Sequence, residues 1–168
     1  MVIWLIGLSG SGKTTLGEAV VAAARPQPIA FIDGDVIREI FGGDLGYSME
    51  DRWKNAQRIS RLCKFLDDQS VSVVCAILSL FPESRRWNRE HISNYFEVFI
   101  DAPLEQLIAR DGKGLYARAQ QGKIKHVAGI DLPFEKPESP DLVIDNGGAR
   151  AQLLAHAPRL ASMLTSRS

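Results

Sequence analysis

The residues with the most chemistry in them stand near the start of the chain: Gly7-Leu8-Ser9-Gly10-Ser11-Gly12-Lys13-Thr14, followed by Thr15. Their spacing fits G-x-x-x-x-G-K-[ST] at each fixed position, with an apolar run before it and a helical pattern after it. Glycines let such a loop curl until successive backbone N–H groups face a polyphosphate, and the helix that follows adds its positive end. A lysine at position 13 reaches the β- and γ-phosphates, and the Thr14 hydroxyl is a hard oxygen ligand suited to Mg²⁺. Residues 7–15 therefore read as the binding site for a nucleoside triphosphate, with Lys13 taking part in the chemistry.

A second group follows at Phe31-Ile32-Asp33-Gly34-Asp35, with Arg38 close behind. Alone it would pass for an Asp-Gly turn. After a phosphate loop and a strand-length apolar run, both acids fall at the carboxyl end of a strand, where open parallel sheets bind their ligands. Two carboxylates there can serve a metal shell and accept a proton from an attacking hydroxyl. Which acid takes which part is left open by the residues: Asp35 fits the acceptor-side base, and Asp33, with Thr14, the metal shell. No Asn is followed by Lys, so the base-reading motif of a GTPase switch is missing, and Asp111-Gly-Lys-Gly114 comes too late in the chain for a switch. Kinases of small metabolites are left.

Five apolar runs must position these groups: 2–6, 29–32, 71–77, 96–100 and 142–144. They are of strand length and mostly lack alternation, as strands buried on both faces of a parallel sheet do. Helical patterns cover 13–24, 49–66, 83–92, 104–109 and 149–164, the last expected to bend at Pro158. In the second, apolar residues recur at 49, 53, 56, 59, 63 and 66, after Ser48-Met-Glu-Asp51 as a capping box. The alternation predicts an α/β fold, a three-layer α/β/α sandwich on a mostly parallel five-stranded sheet, with residues 1–168 as one P-loop kinase domain.

Composition excludes several classes. With 168 residues, 20 Lys plus Arg and 20 Asp plus Glu, the net charge is zero. A bulk nucleic-acid or membrane-surface binder is not expected at that balance. No run approaches the ~18 apolar residues of a membrane helix, and the apolar start at 1–6 lacks the basic flank of a secretion signal. A cytoplasmic protein is expected, with Cys63 and Cys75 as buried core thiols. The zero hides a cancellation: residues 104–126 carry five Lys/Arg against two Asp/Glu, and 131–145 carry five acids against Lys136. His91, His126 and His156 have no ligand spacing and read as solvent-exposed. Arg85, Arg86 and Arg89 read as a solvated helix face, and Trp4, Trp53 and Trp87 as core or interface aromatics.

At this point the chain resembles the adenylylsulfate kinase family. Five blocks carry the resemblance: 7–15; Asp33-Gly-Asp-Val-Ile-Arg38; Asp44-Leu-Gly-Tyr-Ser-Met-Glu-Asp-Arg52 with Asn55 and Arg58; Arg110-Asp-Gly-Lys-Gly-Leu-Tyr116; and Gly129-Ile-Asp-Leu-Pro-Phe-Glu135. It implies phosphorylation of the 3′-hydroxyl of adenylylsulfate by ATP with Mg²⁺, and a homodimer. It places Arg38, Arg52 and Asn55 on the acceptor's phosphosulfate and ribose, Tyr47 on its base, and Arg110 and Lys113 in a lid over ATP. Ser79 and Val127 complete the acceptor site. Departures cluster on the acceptor side. Val127-Ala128 stands where the family usually has Phe-Thr, Leu80 where it has Pro, and Gln57, Lys54 and Ala117 replace a common Arg, Glu and Lys. The resemblance thus leaves a second acceptor open, another nucleotide such as cytidine diphosphoramidate, tied to capsular polysaccharide modification. A non-catalytic ATP-binding regulatory subunit is the third and least supported reading.

Overall fold

Each apolar run singled out in the sequence becomes a strand. The computed structural model describes residues 1–112 and 114–165. Among these, β1 (Val2–Ile6), β2 (Ile29–Asp33), β3 (Ser72–Ile77), β4 (Tyr95–Asp101) and β5 (Leu142–Asp145) form one sheet in the order β2-β3-β1-β4-β5. Every pairing is parallel, not merely most of them. All five residues of the central strand β1 are buried, which is why its sequence shows no alternation. The side chains still divide by parity. Ile3 and Leu5 pack with Leu16 and Val20 of α1 (Lys13–Ala23) and with Leu160 of the C-terminal helix. Val2, Trp4 and Ile6 pack on the other face with Ile59 and Cys63 of α3 (Met49–Asp68).

Two helices were not legible in the sequence. α2 (Gly34–Ile40) starts where Asp33-Gly34-Asp35 looked like a turn, because the Asp33 carboxylate accepts the backbone N–H of Asp35 at 2.9 Å and caps the helix. α4 (Pro82–His91) and α5 (Leu104–Arg110) follow the expected patterns. α6 (Leu115–Gln120) is held by Asp111, whose carboxylate accepts from the N–H groups of Tyr116 at 3.2 Å and Ala117 at 2.8 Å. With six or seven residues each, α2 and α6 show too little helical periodicity to stand out. The terminal pattern also differs from a single bent helix. It is α7 (Arg150–Leu154) and α8 (Ala157–Thr165), broken at 155–156. Pro158 is the second residue of α8, in the first turn, where a missing N–H costs nothing.

The arginines of α4 correct another expectation. Arg86 is 70% exposed, but Arg85 is buried, with Nε 3.7 Å from the Glu97 carboxylate of β4 and Nη1 donating to Ser79 O at 2.7 Å. Arg89 reaches Asp141 at 3.0 Å and Glu97 at 3.7 Å. Burial pushes the Glu97 carboxyl up, against the pull of Tyr95 and both arginines. A carboxyl whose folded pKa is raised favours the fold at low pH and gives up that contribution as pH rises through the folded value. Arg85→Met removes one opposing cation, so the pKa climbs further and the loss on going from pH 5 to pH 8 grows. We expect about 3 kcal/mol of destabilisation at pH 8 and less at pH 5, read from urea unfolding at both. Equal loss at the two values would show that Glu97 is not what Arg85 compensates.

Candidate active site

β1 delivers the chain into the phosphate loop at its carboxyl end, and α1 leaves it. A Cβ at Gly7 would stand 2.7 Å from Ile100 O and 2.5 Å from Ser11 Oγ, so the turn out of β1 has room for glycine alone. Gly12 caps α1 with φ 97°, and a Cβ there would stand 2.5 Å from Leu153. The loop is braced from outside by two residues that sequence reasoning missed. Asn146, buried just past the end of β5, donates from Nδ2 to Ser11 O at 2.8 Å, and Tyr116 donates its hydroxyl to Ser9 O at 2.8 Å. Burial and the charge of Asp111 push the Tyr116 phenol up to about 12, so it keeps its proton and remains a donor at neutral pH. The strand-end position of Asn146 was the available signal; Tyr116 stood in a recognised block without an assigned role. Lys13 Nζ donates to Leu8 O at 2.7 Å, across the loop.

The two acids meet the loop as expected. Thr14 Oγ1 donates to Asp33 Oδ2 at 3.0 Å, while Asp33 Oδ1 is the cap of α2. Asp35 lies one step further from the loop, at the start of α2. A hydroxyl and a carboxylate 3.0 Å apart are hard oxygen donors, the set that suits Mg²⁺, an ion that otherwise keeps water and phosphate oxygens. Among the described residues no group of three or more His, Cys, Asp or Glu side chains could hold a metal ion.

Gly10, Gly12, Lys13, Thr14, Asp33 and Asp35 line a cavity of about 650 Å³, and Tyr47, Arg52 and Val127 line its other reaches. Arg118, Lys125 and His126 line it too. Arg118 and Lys125 were not singled out, although the basic excess over 104–126 pointed to their segment, and His126, read only as solvent-exposed, is exposed at the cavity wall. A recess of about 80 Å³ shares Asp35, Tyr47 and Arg52 with this cavity and adds Arg38, Asn55 and Ser79. On the far side of the loop, Arg110 lines a cavity of about 350 Å³ with Gly10, Gly12, Thr15 and Asn146, its guanidinium donating to Gln106 and to Gly148 O. Lys113 lies outside the described residues.

Ser48 caps α3 by accepting from Asp51 N at 3.1 Å, so the N-cap half of the box read in the sequence is present. Its carboxylate partner turns instead to the Ser48 hydroxyl and to Gly46 N. That orders the loop ahead of α3, where Arg38 donates to Gly46 O at 2.7 Å and lies 4.9 Å from the Tyr47 ring centroid. Arg52 lies 5.3 Å from the same ring, donates from Nε to Tyr47 O at 3.0 Å, and from Nη2 to His126 O at 2.7 Å. Burial, then the neighbouring Arg38, hold the Arg52 guanidinium below its usual range, which marks a crowded cationic site. Asn55 donates to Gly34 O, and its Oδ1 is buried with no protein partner, an acceptor atom held ready. Ser79, with φ 55°, accepts the Trp4 indole N–H at 3.1 Å. The remaining histidines are structural or peripheral: His91 stacks on Trp87, with ring centroids 4.3 Å apart. Cys63 and Cys75 are buried free thiols.

A parallel α/β sandwich with a phosphate loop, two acids at the neighbouring strand's carboxyl end and a cation-rich second cavity defines a P-loop kinase. A family model for adenylylsulphate kinase matches residues 1–145. An adenylyl-sulfate kinase of Paraburkholderia xenovorans is 44% identical over 147 residues, covering 86% of this chain and 82% of that protein. A cytidine diphosphoramidate kinase of Campylobacter jejuni is 41% identical over 147 residues, covering 86% and 85%. Among solved structures, the APS kinase of Mycobacterium tuberculosis in complex with AMPPNP and APS has a TM-score of 0.88 at 34% identity, over 98% of this chain and 97% of that one. The chain belongs to the adenylylsulfate kinase family and is a kinase of that type. No helix among the described residues is long and apolar enough to cross a membrane.

Proposed function

We propose that the chain transfers the γ-phosphoryl group of ATP to the 3′-hydroxyl of adenylylsulfate, giving 3′-phosphoadenylylsulfate and ADP. The observation that carries this reading is the continuity of one cavity from Lys13 and Thr14, past Asp33 and Asp35, to Tyr47, Arg52 and Val127. Loop N–H groups and Lys13 hold the donor phosphates, and Arg110 closes over the ATP side. The acceptor lies with its base on Tyr47 and its anionic end toward Arg38 and Arg52, with Asn55 and Ser79 in the recess beneath. Asp35 takes the proton of the attacking hydroxyl. Thr14 and Asp33 hold Mg²⁺, which when bound neutralises charge on the β- and γ-phosphates. Water is excluded as the lid closes, because an open site would hydrolyse ATP. A homodimer and a cytoplasmic setting belong to the same reading.

A second acceptor, cytidine diphosphoramidate, is favoured by one feature. Val127 and Ala128 are buried aliphatic residues beside the cavity, where the family usually places Phe-Thr, the Phe being the second ring of the base site. A pyrimidine has less surface to stack than adenine and loses less by that change. ADP formation by the purified chain with each acceptor separates the two: turnover with adenylylsulfate is expected, and turnover with the cytidine compound alone overturns the first reading. Tyr47→Ala is expected to raise the acceptor KM on the order of tenfold, since base stacking on an aromatic is worth ~1–3 kcal/mol. ATP KM should hold within about twofold. An unmoved acceptor KM would remove Tyr47 from the base site.

A further inference from the structure

The block Gly129-Ile-Asp-Leu-Pro-Phe-Glu135 has so far been given no chemistry. It folds back on itself: Val127 O accepts the N–H groups of Ile130, Asp131 and Leu132 within 3.2 Å, and Gly129 N donates to Leu132 O at 2.8 Å. Gly129 has φ 89°, and a Cβ there would press on Leu104 at 3.0 Å. The turn brings the Asp131 carboxylate under the preceding peptides. Oδ2 accepts His126 N and Oδ1 accepts Val127 N, both at 2.6 Å. His126 itself is held at φ 64°, a left-handed conformation that a non-glycine residue does not keep without support. That support comes from both sides of one residue: Asp131 takes its N–H, and Arg52 donates to its carbonyl.

We infer that Asp131 is a positioning residue for the acceptor, setting where Val127 and Arg52 stand relative to Tyr47. The connection is continuous. Asp131 fixes the His126 and Val127 amides, His126 O fixes one end of the Arg52 guanidinium, and the other end holds Tyr47 O. Two segments far apart in sequence, 44–52 and 124–131, thereby become one frame around the cavity. The two amide hydrogen bonds draw the Asp131 carboxyl below the usual range, so it stays ionised and able to accept both across any practical assay pH. Asp131 is not assigned contact with the reacting atoms.

The inference rests on the reading that the Tyr47–Val127 region takes the acceptor, and the test keeps the two apart. Asp131→Ala is expected to speed hydrogen exchange at the His126 and Val127 amides at least tenfold in the purified chain, with no nucleotide present. It should raise the KM for the acceptor that the wild type turns over, adenylylsulfate or cytidine diphosphoramidate, about tenfold, with ATP KM and kcat within about twofold. Asp131→Asn retains one accepting oxygen and should fall between, with the unfolding midpoint near wild type. Acceptor and ATP KM rising together, or faster exchange with acceptor KM unmoved, would reduce Asp131 to a loop stabiliser and overturn the inference. If Tyr47→Ala raises acceptor KM while Asp131→Ala does not, the inference fails alone. If neither does, the acceptor reading has failed first.

Discussion

Lys13→Ala is expected to lower kcat/KM about 10³-fold or more while the chain stays folded. Phosphoryl transfer gives the protein little covalent work, so most of its contribution is charge placed against the transferring phosphate. Removing one pre-placed donor of that kind costs roughly 3–4 kcal/mol in the transition state, and each ~1.4 kcal/mol is a factor of ten in rate. The structural cost is small by comparison. Lys13 gives up a hydrogen bond to Leu8 O, a contact worth about 1 kcal/mol, while Asn146 and Tyr116 still brace the loop at Ser11 and Ser9. Steady-state kinetics beside a thermal unfolding curve separates the two effects. Residual kcat/KM within tenfold of wild type would remove Lys13 from the transferred phosphate.

The second large effect is expected at Asp35. Asp35→Asn keeps the shape of the side chain and leaves untouched its backbone N–H, which donates to Asp33, but removes the oxygen that can take the hydroxyl proton. General-base catalysis is worth 10²–10⁴-fold, so kcat should fall by about that factor with both KM values near wild type. Asp33→Asn should behave differently. Asp33 accepts from the Thr14 hydroxyl and caps α2; Asn caps a helix as well as Asp does, so stability should hold while the Mg²⁺ concentration needed for half-maximal rate rises. An unchanged Mg²⁺ requirement in Asp33→Asn, together with full activity in Asp35→Asn, would exchange or abolish the two roles.

Some of this was written in short stretches of chain and some was not. Ser48 with Asp51 was legible as a cap, and the strands were legible because burial on both faces leaves mostly apolar runs with little alternation. α2 was hidden because Asp33-Gly34-Asp35 is compatible with both a turn and a capped helix start. The choice was made by Ile37, whose burial against the sheet rewards a helix. Arg85 looked like a solvated residue for a similar reason. Its buried partner, Glu97, lies on another element and leaves no mark beside it in the sequence.

By itself, the sequence determined the donor half of the site. The phosphate loop is eight contiguous residues whose glycines permit its backbone conformation and whose Lys13 and Thr14 follow at once, so its geometry is local and travels with the motif. It also marked the five strands and the longer helices, the strands by apolar runs and the helices by their period. Only the tertiary structure decided how the acceptor half is framed. Arg52 meets His126 across 74 residues, and Asn146 meets Ser11 across 135. Such pairings depend on how helices and loops settle on the sheet, and no spacing along the chain encodes a partner at that distance.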